Sequence, residues 1–164
     1  MAQLEYASAF GCLIYLIQCT RFDIEFAVNK MSRFTSNIND EYWKAITINF
    51  SYLLKTKNLG LHYSRFPIIL EAYTDASWIS NVGDYESTSG WKFTLAGGVI
   101  SWKRKKQTCI TLSTMESEFV ALASAGIEAE WLMDLLLEVP LPKENVSKVL
   151  IHCDSQVTLA RAFS

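Results

Sequence analysis

The sequence predicts a mixed α/β fold, a sheet with helices packed on it behind a helical leading segment. Three observations lead there. Apolar residues recur at helical spacing through the first 58 positions, the pattern turns strand-like after Gly60, and a long helical stretch separates the middle strands from a last short apolar run, VLIHCD, at 149–154. With 164 residues, half of them hydrophobic, the chain is sized for one domain or one domain plus an appendage and is too apolar to stay disordered.

The elements follow in order. Tyr6, Phe10, Leu13 and Ile17 make one helical stripe, Ile24, Ala27, Val28 and Met31 a second, and Trp43, Ile46, Phe50 and Leu53 a third. Asn39 or Asp40 suits the N-cap of that third helix, and Gly60 falls just past its end. GLHYS and then PIILEAYTDAS read as strands, with Pro67 breaking them. In the second strand Leu70, Ala72 and Thr74 point one way, and Glu71, Tyr73 and Asp75 the other. TSGWKFTLAGGVISWKRK reads as a hairpin turning near Gly97-Gly98. A helix is expected from about Thr114 to Glu138, broken near Gly126 and ended by Pro140 and Pro142. Ser155 then caps a final helix. The strands near 70 and 150 should run parallel through a crossover that contains the long helix, so their carboxyl ends, with Asp75 and Asp154, fall together.

The net charge of −2 excludes a chain that coats polyanions over its whole surface, so nucleic-acid contact requires a local patch. Cys12, Cys19, Cys109 and Cys153 form no CxxC pair and have no histidine at zinc spacing, which predicts buried free thiols in a reducing compartment. FGCLIYLI at 10–17 lacks a basic lead-in and follows Glu5, so it reads as a packed helix and not as a signal peptide; no run reaches membrane-spanning length.

Asp75 and Asp154 each close an apolar run, where a charge is costly unless something pairs with it. Carboxylates delivered to one sheet end, with a helical carboxylate beside them, describe a divalent-metal site, and its natural substrate is a phosphodiester. The helix offers Glu116 and Glu118, about 200° apart around its axis, so only one can face the sheet. Glu118 shares a face with Ala121, Leu122 and Ala125 and is the favoured ligand; Glu116 suits the first turn, where the helix dipole welcomes an acid.

These stretches resemble the ribonuclease H domain of Ty1/copia-type retrotransposon Pol polyproteins. The resemblance rests on YTDAS (73–77), STSGWKFTLAGGVISWKRKKQ (87–107), TLSTMESEFVALASAGIEAEWL (111–132) and CDSQ (153–156). The earlier part resembles the end of the same polyprotein's reverse transcriptase in Gly11–Leu16, CTRFDIEFAV (19–28), MSRF (31–34) and the helix before LGLHYS (59–64), although Phe22 stands where the family usually has proline. The resemblance implies two parts: 1–64, a helical thumb- or connection-like end of the reverse transcriptase, and 65–164, a ribonuclease H-like domain with a mixed sheet and packed helices. It implies hydrolysis of the RNA strand of RNA–DNA hybrids with two Mg²⁺ ions, Mn²⁺ being a possible substitute, and assigns Asp75, Glu118 and Asp154 as catalytic residues and metal ligands. The implied partners are the hybrid and the rest of the polyprotein, with no membrane, inside the cell. The family carries a fourth acid, in many members also a histidine, and a last strand, all farther along than Ser164, so the alternative expectation is a truncated, inactive remnant that at most binds nucleic acid. No Asp-Asp dipeptide occurs, so polymerisation is not expected.

Lys103, Arg104, Lys105 and Lys106 form the one dense basic cluster, suited to the phosphates of a hybrid. Gln156, with Ser155 and Ser77, is a candidate for contacts to 2′-hydroxyls. His152, inside an apolar strand, is expected in the core.

Overall fold

A computed structural model describes residues 2–32, 40–63, 69–79, 86–140 and 148–162. Asn39, Ser64, Pro67 and Pro142, and the expected division at 64/65, lie outside the described residues. The chain forms two units, Met1–Leu61 and His62–Ser164. Among the described residues there are five α-helices and one four-stranded sheet, and no helix is long and apolar enough to cross a membrane.

The first unit holds α1 (Ala2–Cys19), a 3₁₀ turn (Phe22–Ile24), α2 (Glu25–Ser32) and α3 (Asp40–Lys55). The expected stripes become its core. Tyr6, Phe10, Leu13 and Ile17 of α1 cluster with Ile24, Val28, Met31 and Ile46, and Trp43, Phe50 and Leu53 pack partly buried around them. The Tyr6 ring meets Trp43 edge-on, with centroids 5.6 Å apart. Arg21, in the CTRFD stretch, is buried and has a structural task. Its Nε and Nη2 grip Asp23 at 2.9 and 2.7 Å, while Nη2 also reaches Thr56 Oγ1 at 2.8 Å, tying the turn after α1 to the end of α3. The guanidinium beside Asp23 holds that carboxyl below the ordinary range.

The second unit is built on a sheet of order β3-β2-β1-β4. β1 (Leu70–Ser77) pairs antiparallel with β2 (Thr88–Leu95), which pairs antiparallel with β3 (Gly98–Lys106). β4 (Val149–Cys153) runs parallel to β1, as the crossover argument requires. The hairpin between β2 and β3 turns on Ala96 and Gly97, with φ of 51° and 83°, a left-handed pair that suits the twist of the flanking strands. α4 (Thr114–Glu138) lies across the sheet, and α5 (Gln156–Ala162) follows β4. Leu70, Ala72, Trp91 and Phe93 of the sheet form one buried cluster with Ala125, Ala129, Leu132 and Leu136 of α4. Small alanines on α4 allow the close approach, and the alternation of β1 puts Tyr73 and Asp75 on the exposed side. α4 stops where Val139, ahead of Pro140, turns extended.

Three expectations are corrected. Residues 60–63 are not a strand: the contact with β3 runs through the Tyr63 ring, whose hydroxyl donates to the Val99 carbonyl at 2.9 Å, instead of through a backbone ladder. A Cβ on Gly98 would collide with that ring, so glycine is required there. α4 is not broken at Gly126 and runs unbroken for 25 residues, because buried Ala125 and Ala129 anchor it on either side. A Cβ on Gly126 would meet nothing within 4 Å, so Gly126→Ala should stabilise the protein by about 0.5–1 kcal/mol, read as a higher urea midpoint. The cysteines are unpaired, but Cys12, Cys19 and Cys109 are exposed and Cys153 is half-buried, since each of the exposed three falls off its element's apolar stripe or in a turn.

Candidate metal centre

The β1–β4 ladder ends at the pair Thr74–Cys153. Asp75 and Asp154 are the next residues of the two chains, so two acids leave the sheet side by side at its carboxyl end. Both are exposed. Glu118 arrives from the second turn of α4 and is 5% exposed. Its Oε1 accepts the backbone N–H of Ala76 at 3.2 Å, while its Oε2 is buried without a hydrogen-bond partner. Burial raises the Glu118 carboxyl above the ordinary range, the Ala76 N–H works against that, and the charges of Asp154 and Asp75 add to it. A buried carboxylate with one oxygen unmet and two acids beside it is an arrangement that a cation relieves. The donor set is oxygen-rich and fits a hard divalent ion such as Mg²⁺.

One further side chain enters the site. Cys153 pairs with Thr74, so its side chain is on the α4 face, and ligand atoms of Glu118, Cys153 and Asp154 all lie within 4.8 Å of one another. Cys153 was not among the residues the sequence pointed to, because its neighbours depend on where α4 crosses β4.

Glu116 is used elsewhere. Ser113 caps α4, accepting the Glu116 N–H at 3.2 Å, and the Glu116 carboxylate reaches back to the Leu112 N–H at 2.7 Å. This reciprocal cap was written in STME at 113–116.

Beneath the site lies a buried polar layer. Gln107 Nε2 donates to Ser89 Oγ and to the Ser117 carbonyl, both at 2.8 Å, and the Gln107 N–H donates to the Ser87 carbonyl at 2.8 Å. Ser87 and Thr111 share a hydroxyl bond of 2.8 Å, and Trp78 Nε1 reaches the Thr111 carbonyl at 3.0 Å. The available signal was Ser89, a polar residue on the strand face that also carries Trp91 and Phe93.

The basic cluster is divided by strand alternation. Lys103 and Lys105 lie over the Trp91 ring, with Nζ at 6.0 and 5.5 Å from its centroid. Arg104 and Lys106 point to the opposite face, where Arg104 Nη2 bonds Ser77 Oγ at 3.1 Å and Lys106 pairs with Glu86 at 2.8 Å. Asp75, Gly90 and Arg104 form one row across three strands, and the glycine leaves the space between acid and guanidinium free of a side chain. Gln156 opens α5 and is exposed; Ser155 serves as the cap, accepting the Thr158 N–H at 3.3 Å. His152 is not a core residue. The parity of β4 puts it on the exposed face, stacked on Tyr73 with centroids 4.7 Å apart.

The Retrovirus-related Pol polyprotein from transposon TNT 1-94 of Nicotiana tabacum is 39% identical over 156 residues, which is 95% of this chain and 12% of that protein. The Retrovirus-related Pol polyprotein from transposon RE2 of Arabidopsis thaliana is 33% identical over 152 residues, 92% of this chain and 10% of that protein. The Secreted RxLR effector protein 161 of Plasmopara viticola is 40% identical over 133 residues, 80% of this chain and 94% of that protein. The chain therefore spans about a tenth of the length of the Pol polyproteins it matches. No protein-family model matches it, and no solved structure does.

Proposed function

Because this chain belongs to the retrovirus-related Pol polyproteins of copia-type transposons, we propose that its second unit is a ribonuclease H-like domain that hydrolyses the RNA strand of RNA–DNA hybrids during reverse transcription. The first unit is then the helical end of the reverse transcriptase of the same polyprotein. The observation that carries this reading is Glu118: a carboxylate buried on α4, with an unmet oxygen, beside the strand-end acids Asp75 and Asp154.

Asp75, Glu118 and Asp154 would hold the metal. Two Mg²⁺ ions, or Mn²⁺ in their place, supply when bound an activated water and neutralisation of the leaving oxygen. The chain's own residues set the stage. The Ala76 N–H fixes one Glu118 oxygen and so orients the other. The β1–β4 ladder holds the two aspartates on a rigid edge. Lys103 and Lys105, exposed over Trp91, are placed to draw the phosphates of a hybrid by charge alone. Gln156 is exposed at the start of α5, two residues beyond Asp154, and suits a contact to a 2′-hydroxyl.

The test is cleavage of an RNA–DNA hybrid labelled on each strand, with Mg²⁺ and with EDTA. Cutting of the RNA strand alone, only with metal, is the expected result. A protein with an intact circular-dichroism spectrum that leaves both strands whole in Mg²⁺ and in Mn²⁺ would overturn the nuclease reading in favour of a non-catalytic remnant.

A further inference from the structure

The metal centre contains a thiol that a hard-cation nuclease site has no use for. Mg²⁺ takes oxygen ligands, whereas Cys thiolate selects softer ions such as Zn²⁺ and Cd²⁺. We propose that Cys153, Glu118 and Asp154 form a binding site for a thiophilic divalent cation.

Three observations support this. The Sγ of Cys153 and one oxygen from each acid all lie within 4.8 Å of one another, close enough that small rotations bring them around one ion with Zn–S near 2.3 Å and Zn–O near 2.0–2.2 Å. Glu118 is 5% exposed and its Oε2 has no hydrogen-bond partner, so the site already holds an unsatisfied carboxyl oxygen. The frame is also fixed: Cys153 sits in the parallel ladder opposite Thr74, whose hydroxyl donates to the neighbouring His152 carbonyl at 3.3 Å, and Glu118 is held by Ala76. Half-exposed Cys153 and exposed Asp154 leave a way in and a fourth position for water. Among the described residues, this is the one group of three such side chains that close together.

The site shares Glu118 and Asp154 with the proposed Mg²⁺ site, so a soft ion bound there displaces the hard one. The binding claim itself rests on these three residues and not on the nuclease reading.

The experiment is a Cd²⁺ titration of the full chain, in a background where the exposed Cys12, Cys19 and Cys109 are replaced by serine. The readout is the ultraviolet thiolate-to-Cd²⁺ charge-transfer band. A band that saturates at a single equivalent is expected. Cys153→Ser should abolish it. Glu118→Gln keeps the thiol but should weaken Cd²⁺ binding by at least about tenfold, since it removes a ligand. Circular dichroism confirms folding of each variant, and if Cys153→Ser does not fold, Glu118→Gln alone decides. No band in the background protein, or an unchanged dissociation constant in Glu118→Gln, would overturn the proposal, because the thiol would then be absent from the site or acting alone.

Discussion

Glu118→Gln will abolish hybrid cleavage and at the same time make the metal-free protein more stable at neutral pH. Both effects come from one atom. Oε2 is buried and unpaired, and the charges of Asp154 and Asp75 bear on the same carboxyl. Without a cation, ionising that carboxyl costs desolvation and repulsion; with a cation, the same oxygen becomes a ligand. An amide retains the acceptor for the Ala76 N–H and loses the charge. The gain in stability in EDTA should be about 1 kcal/mol, within the range for a buried unsatisfied group. The cleavage rate should fall by more than about a hundredfold, at least what losing a supporting group around a metal costs.

The sign with pH follows from the raised Glu118 carboxyl. In acid, both folded and unfolded chains are protonated there, and wild type and variant differ little. As pH climbs through the ordinary carboxylate range, the unfolded chain releases its proton first, the native state holds more protons, and wild-type stability declines until the raised native value is passed. The gap between Glu118→Gln and wild type therefore opens from acid to neutral pH. Urea midpoints in EDTA at both ends of that window measure it. Adding a divalent cation should then stabilise the wild type and not the variant. A variant that is less stable than wild type at neutral pH, or a gap that does not change with pH, would contradict this account.

The parts of this molecule readable from sequence are those set by local period. The stripe Tyr6, Phe10, Leu13, Ile17 needs only 3.6-residue spacing to predict one buried face. Alternation alone separates Leu70 and Ala72 from Tyr73 in β1. The adjacency of Asp75 and Asp154 needed one more rule, that a crossover helix joins parallel strands. What was not readable depends on distances between elements. Cys153 becomes a neighbour of Glu118 only once the register Thr74–Cys153 and the height of α4 over the sheet are known. His152 looked like core because its strand is apolar, but a face is buried only where something covers it. Gly126 looked like a break because glycine weakens helices, yet the alanines packed around it outweigh a cost of about 1 kcal/mol. The polar layer under the site hid for the same reason: Ser89 and Gln107 are unremarkable in sequence until the fold closes them off together.

That layer carries the second large effect. Gln107 is 4% exposed and joins the end of the β2–β3 hairpin to α4 through the Ser117 carbonyl, one residue before Glu118. Gln107→Ala removes both bonds of Nε2, leaves Ser89 Oγ buried without its donor, and opens a cavity. Two net hydrogen bonds and a partly collapsed void together amount to about 2–4 kcal/mol. Because Gln107 Oε1 is itself buried without a partner, its removal relieves part of that cost, so about 2–3 kcal/mol is the expected loss. Gln107→Leu fills the void but restores no donor, so it should recover only the cavity share and remain less stable than wild type. Chemical denaturation of the three proteins measures this order. Cleavage reads the other consequence: the first turns of α4 lose their tie to the sheet, Glu118 is held less firmly under Ala76, and more Mg²⁺ is needed for half-maximal rate in both variants. If Gln107→Leu matched wild type in stability and in Mg²⁺ requirement, the buried amide would be filling space, and the positioning of Glu118 would have to come from the α4–β1 packing alone.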